Sequence, residues 1–421
     1  MNIFKNKIKG DKKTIASNFV SLTVLQGANY LLPLLILPFL VRTLGSEKFG
    51  LVMFAQSLAT LLKIVVDFGF TMSGTREISL ARNDKKKLSE IFCAIILIKT
   101  GLIIVGFIIL FFIVELFTRF TVDSEVYYLS FGIVIGQAIF PVWFFQGIEK
   151  MKFVTVVNIF AKVIFTVLIF LAIREESDYI LVPIFNSLGF IIAGLLGLFI
   201  SLKYIFIVVP RISLVKRLLK ESSSLFFAKF ASTLYTSSNV FILGLFTGNT
   251  IVGVYSSMEK LILAVKNIYT PLYQAMFPWL SNQTSEVKRS TIKKLFPFIL
   301  SLGVIITASI LIFGETMLTF IYDDELITSY VSVFKILSFI SIFSGINMLY
   351  NNLYLPSIKK YKTRMLIFII GGIFNLLLVF ILIKQYGVYG MASAVTITEF
   401  LLLILGFYYF NKYSSQKRDI I

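Results

Sequence analysis

Charged side chains recur inside apolar stretches of this 421-residue chain, and their spacing is that of a helix face. Gln56, Thr60, Lys63 and Asp67 stand at i, i+4, i+7 and i+11, along one side of a helix. Glu259, Lys266, Thr270 and Gln274 share a face in a later run. Lys99, Lys162, Lys229, Lys260 and Lys335 interrupt other runs, and Gln26 and Asn29 add polar groups to the first. Seven intramembrane lysines against Asp67, Glu259 and Glu399 make surroundings suited to an anion such as phosphate or pyrophosphate. Lys266, near the middle of its run, is the expected ligand contact. Asp67 and Glu259 are candidates for binding a coupling ion or for pairing internally with a lysine. Lys63 and Asp67, one turn apart, could neutralise each other.

Catalysis finds little support. The chain has no His, and its single Cys93 lies in an apolar run, so no intrachain disulfide can form. No phosphate-binding glycine loop or metal-ligand spacing occurs. The residues therefore point to a binding protein without catalytic residues, cofactor or metal.

Those charges must be held by membrane helices. The chain is 57% hydrophobic, 15% charged and has a mean hydropathy of +0.88. Its apolar runs are continuous rather than alternating, which predicts spanning helices and not a barrel. Twelve runs are expected, near 16–41, 50–74, 91–114, 126–147, 153–173, 179–202, 223–246, 250–278, 295–314, 327–350, 364–384 and 388–410. The first is too long for the core of a signal peptide and reads as a spanning helix. A lysine at the bilayer centre costs about 3 kcal/mol, so seven facing lipid would cost on the order of 20 kcal/mol, beyond the net stability of a typical domain. Most must face protein or a wet cavity. Lys99 and Lys229, nearer the inner surface, can also snorkel.

The net charge of +18 does not indicate nucleic acid, because the basic residues lie between apolar runs. One side collects 28 Lys and Arg and the other five, and by the positive-inside rule both termini are cytoplasmic. The middle loop "RISLVKRLLKESS", from Arg211, is basic and amphipathic and suits a helix on the inner surface. It divides the chain into a lobe at 1–210 and a second lobe at 211–421. A shift of 203 residues superposes Gly45 on Gly248, Gly50 on Gly253 and Lys63 on Lys266, the mark of a parallel repeat. The expected fold is all-α and integral to the membrane, with two pseudo-symmetric six-helix lobes around a central polar cavity.

The stretch "PVWFFQGIEKMKF" (141–153) sets an aromatic cluster beside a charged turn. Trp143 is expected at the membrane interface, with Lys150 and Lys152 holding the turn inside. "PVWFFQGIEKMKFVTVVNIFAK" (141–162), "TREISLARND" (75–84) and "LVRTLGSEKFGL" (40–51) resemble segments of bacterial Wzx-type O-antigen flippases, of the polysaccharide transporter family. Length and topology agree over essentially the whole chain.

The resemblance implies a multidrug/oligosaccharidyl-lipid/polysaccharide exporter fold in the bacterial plasma membrane. It implies movement of an undecaprenyl-pyrophosphate-linked oligosaccharide from the inner to the outer leaflet, with membrane lipids, a polysaccharide polymerase and a chain-length regulator as partners. The lysines would receive the pyrophosphate. Trp143, Phe144, Gln146, Gly147 and Glu149 would brace a cytoplasmic gate, with interfacial anchoring the equal alternative. A multidrug or cation antiporter of the same superfamily would favour acidic cavity residues. A lipid II flippase usually carries two more helices. An O-antigen polymerase or lipid-linked glycosyltransferase would need a large external loop.

Overall fold

The computed structural model describes residues 2–415; the side chains of 2–26, 28–31, 228, 231–232, 234–236 and 415 lie outside that description. Gln26 and Asn29 are therefore outside the described residues. The elements are helical throughout: α1 (Asn2–Asp67), α2 (Phe70–Ala81), α3 (Lys85–Leu116), α4 (Ser124–Ile139), α5 (Val142–Gly147), α6 (Met151–Ala172) and α7 (Leu181–Ser201). They continue with α8 (Ile212–Thr236), α9 (Asn239–Phe246), α10 (Asn249–Ser281), α11 (Ser285–Tyr322), α12 (Val331–Ser338), α13 (Ile340–Met348) and α14 (Tyr361–Ser415). A π-helical turn, Leu349–Tyr354, follows α13.

Local chemistry explains the breaks. Gly45 interrupts α1 at φ 68°, ψ 167°, and Gly387 interrupts α14 at φ 55°, ψ −128°. At about 1.5 Å per residue, the 55 residues of α14 would run roughly 80 Å if straight, about twice a bilayer. Gly387 thus divides it into two pieces of spanning length. Asp84 caps α3 by accepting the amides of Lys86 and Lys87 at 3.1 Å each.

Eight helical stretches among the described residues are long and apolar enough to cross a membrane. The difference from the twelve runs in the sequence has identifiable sources. Tyr361–Ser414 takes in two runs. The first run lies mostly outside the described side chains. Run 223–246 is broken between α8 and α9, and α10 carries Glu259, Lys260 and Lys266.

By contacts the chain forms two compact units: residues 1–36 with 54–230, and 37–53 with 231–421. They differ from lobes meeting at 210/211, because 211–230 goes with the first unit and 37–53 with the second. In the first, α8 packs on the start of α2: a Cβ on Gly69 would come 2.9 Å from the Leu225 side chain, and Ser73 hydrogen bonds Ser222 at 2.7 Å.

The aromatic cluster corrects one expectation. Trp143 is 1% exposed and Phe144 and Phe145 are 0% exposed, so these rings are core and not interfacial anchors. Trp143 packs tilted against Phe92, at 5.5 Å between centroids, and Gly74 of α2 gives it room. Burial within the first unit removes more apolar area from water than a half-wet interface would.

Candidate functional site

In the first unit, Lys63 and Asp67 project from the last turns of α1, before the helix breaks at Phe68 and Gly69, both with positive φ. Asp67 pairs with Lys99 of α3 at 3.5 Å and accepts the Thr71 hydroxyl at 2.9 Å. Lys99 is 3% exposed. Lys63 stands beyond ion-pair distance of Asp67 but within the electrostatic range of Asp67, Lys99 and Lys229. Lys63 in turn lies within electrostatic range of Lys162 of α6. Lys63 thus has three other ammonium groups in its electrostatic surroundings, of which Lys99 holds the contact pair with Asp67. The pair written along one helix in the sequence is, in space, a pair between two helices.

The second unit holds the other polar centre. Lys266 of α10 lies 2.5 Å from Glu399 of α14, and the second Glu399 oxygen accepts the Asn347 amide at 2.9 Å. Asn351, in the π-helical turn, donates to Asn347 at 2.6 Å and to the Leu402 carbonyl at 3.0 Å. Glu259 accepts the Tyr255 hydroxyl at 3.3 Å and the side-chain amide of Asn239. A cavity of about 40 Å³ lies among Asn239, Tyr255, Glu259, Lys266 and Glu399, walled by Ile262, Leu337 and Val395. At roughly 10–15 Å³ per water it holds about three waters, far less than a sugar. Lys260 is exposed beside Glu259, and Lys335 is half-buried on α12, outside the cavity lining.

The sequence reading left out Glu399 as a site residue, together with Asn347 and Asn351. Two asparagines at i, i+4 in an apolar run were the available signal; their acidic partner lies 52 residues downstream of Asn347.

The turn after α5 is tied to its neighbours. Glu149, at φ 60°, bridges to Arg82 at 2.7 Å, and Lys150 donates to the Tyr204 hydroxyl at 3.1 Å. Gly147 sits against α2, where a Cβ would meet Ile78 at 2.5 Å. Gln146 is exposed. The turn is thus joined to the residues just after α2 and just after α7. Among the described residues no three His, Cys, Asp or Glu side chains come together as a metal site.

A family model described as "Polysaccharide biosynthesis protein" matches residues 15–284. The chain belongs to this polysaccharide biosynthesis protein family. The finding agrees with the resemblance carried by segments 40–51, 75–84 and 141–162. Family relatives include a protein of Escherichia coli (strain K12) named "Putative O-antigen transporter", 31% identical over 405 residues, covering 94% of this chain and 96% of the relative. A protein of the same name from Shigella dysenteriae is 30% identical, covering 92% of this chain and 98% of the relative.

Among solved structures, an inward-facing multidrug resistance MATE family transporter of the MOP superfamily matches with a TM-score of 0.65 at 13% identity, covering 92% of this chain and 96% of that one. The lipid II flippase MurJ, in an inward closed conformation, matches with a TM-score of 0.64 at 14% identity, covering 94% and 87%. At such identities the likeness concerns the fold, which is the all-helical membrane fold of the MOP superfamily.

Proposed function

We propose that this family member is a flippase and not an enzyme, moving an undecaprenyl-pyrophosphate-linked O-antigen repeat unit from the cytoplasmic to the outer leaflet of the bacterial plasma membrane. The observation that carries the reading is the lysine cluster of the first unit. Lys99 pairs with Asp67, and Lys63 lies within electrostatic range of Lys99, Lys162 and Lys229, a run of ammonium groups toward which a pyrophosphate would be drawn. A mobile ammonium follows a phosphate through a rocking cycle better than a rigid fork does. Lys266, whose ammonium is engaged by Glu399, contributes less to that attraction than Lys63.

The protein works by alternating access, with both termini cytoplasmic, the saccharide in the polar path and the lipid tail in the bilayer. Asp67 and Glu259 are the carboxylates able to couple transport to an ion. The turn at Gln146 to Glu149, tied to Arg82, braces the cytoplasmic side. The flipped unit then passes to the polymerase and chain-length regulator.

The test is the leaflet distribution of lipid-linked oligosaccharide in a deletion strain complemented with variants. Deletion should trap the oligosaccharide in the inner leaflet, and wild type should release it. Lys63→Glu with Lys162→Glu should fail to release it while reaching the membrane. Normal distribution in the deletion strain, or full transport by the double variant, would overturn the reading.

A further inference from the structure

The membrane stretch Val331–Ser357 of the second unit is not one regular helix. It breaks between α12 and α13, where the amides of Ile342 and Phe343 both donate to the Phe339 carbonyl at 3.1 Å. Donors from neighbouring helices take the carbonyls around the break. Thr307 of α11 donates to the Ser338 carbonyl at 3.0 Å, Tyr269 of α10 to that of Ser341 at 3.0 Å, and Tyr273 to that of Gly345 at 2.7 Å. Gly303, one turn before Thr307, lets α11 close on this point: a Cβ there would lie 2.8 Å from the Ile342 Cα.

Two hydroxyls beside the break are left over. Ser341 and Ser344 are 1% and 0% exposed, and neither Oγ has a hydrogen-bond partner. A helical serine can satisfy its hydroxyl on a carbonyl three or four residues back. Ser338 and Ser357, in the same stretch, use the carbonyl three back, at 2.7 Å each. For Ser341 that carbonyl belongs to Ser338 and is occupied by Thr307; for Ser344 it belongs to Ser341 and is occupied by Tyr269. Each orphaned serine thus meets an outside competitor at its own acceptor. Burying a hydroxyl without a partner is costly, and an exchange of donors would move that cost from the two serines to Thr307 and Tyr269 without removing it. Two arrangements so nearly balanced are what a bistable element requires.

We propose that this break is a two-state joint worked by donor exchange. In the arrangement of this structure, Thr307 and Tyr269 hold the two carbonyls and the helix is broken. In the other, Ser341 and Ser344 take those carbonyls, the Ile342 amide moves to Ser338, and α12 and α13 become one straighter helix released from α11 and α10. Tyr273 has no rival, because Met348 stands three residues after Gly345, and it serves as the pivot. Alternating access needs elements with two discrete arrangements. The inference goes beyond the transport reading and does not depend on which lipid is moved.

The experiment places nitroxides at Ser332→Cys and Lys362→Cys, both exposed and on either side of the break, in a Cys93→Ser background. Pulsed electron paramagnetic resonance in lipid nanodiscs then reads the distance across the stretch. The otherwise unaltered protein should show a main distance and a longer minor one. Thr307→Val with Tyr269→Phe should raise the longer population several-fold. Ser341→Ala with Ser344→Ala should lower it several-fold, and Tyr273→Phe should leave the ratio unchanged. Should the paired Thr307 and Tyr269 variant accumulate poorly, Thr307→Val alone, which keeps the side-chain volume, should still raise the longer population. One distance common to all the variants overturns the proposal. So does a shift in the same direction by the Thr307–Tyr269 pair and the serine pair, which is the mark of general loosening.

Discussion

Gly50 and Gly253 meet backbone to backbone, and the contact is reciprocal. A Cβ on Gly50 would lie 1.9 Å from the carbonyl oxygen of Asn249, and one on Gly253 would lie 1.9 Å from that of Ser46. Ser46 and Asn249 are separated by the same 203 residues as Gly50 and Gly253, so positions related by that shift grip each other. Arg42 donates to the carbonyls of Ile321 and Phe320, and Ser46 donates to Asp324 at 2.9 Å, fastening the same segment to the end of α11 and the residues after it. No flexible side chain stands in the way that could yield. Gly50→Ala and Gly253→Ala should therefore each destabilise the protein by about 1–3 kcal/mol, the usual scale of overpacking. The double variant should cost less than the sum, because the first substitution already separates the helices. Unchanged melting of either single variant would contradict the contact.

Trp143 gives a test of core against interface. Its indole is 1% exposed and packs on Phe92 and Phe144, whereas Trp279 is 49% exposed. Trp143→Ala should cost about 3–5 kcal/mol, the range for emptying a large aromatic site. Trp279→Ala should change stability by roughly 0.5 kcal/mol or less. Thermal unfolding in detergent ranks the two, and equal losses would remove the distinction.

Asp84 should give the start of α3 a dependence on acid. Its carboxyl is held below the ordinary carboxylate value, first because the Lys87 amide donates to it and then through the charge of Lys87. A depressed folded value means stability that is present above the unfolded value of about 3.9 and is lost as pH falls through the lower folded value. Asp84→Asn keeps an accepting oxygen and does not titrate. The wild type should lose melting temperature relative to Asp84→Asn as pH drops below about 4, and the two should run parallel near neutrality. Parallel curves throughout would show that the cap carries no titrating contribution.

The fold was legible because membrane solvent leaves the backbone few options, and the apolar runs mark where helices must lie. Breaks at Gly45 and Gly387 also follow from residue type. Pairing was less legible, for a geometric reason. Helical periodicity shows which residues of one helix share a face, so it links Lys63 with Asp67. It carries no information about the neighbouring helix, which supplies Lys99 to Asp67 and Glu399 to Lys266. Trp143 illustrates a similar loss: an aromatic beside a basic turn has the composition of an interface anchor, and only packing against α2 and α3 shows it to be core.

Lys99 and Lys63 should separate structure from transport within one cluster. The Lys99 side chain is 4% exposed and its partner Asp67 24%, so removing the ammonium takes the contact ion pair from a largely buried carboxylate. Lys99→Met should lower the amount of folded protein, with a loss of about 3 kcal/mol or somewhat more. Pairing it with Asp67→Leu removes both charges and should restore much of the yield. Lys63 is exposed and makes no ion pair at contact distance, so Lys63→Met should fold normally. If its charge draws in the anion as proposed, transport should fall, and Lys63→Arg should retain part of it. Size-exclusion profiles and surface polysaccharide, measured on the same cells, read the two effects independently. A well-folded Lys99→Met protein would show that Asp67 has another counter-charge. A Lys63→Met protein with undiminished transport would take Lys63 out of the anion path.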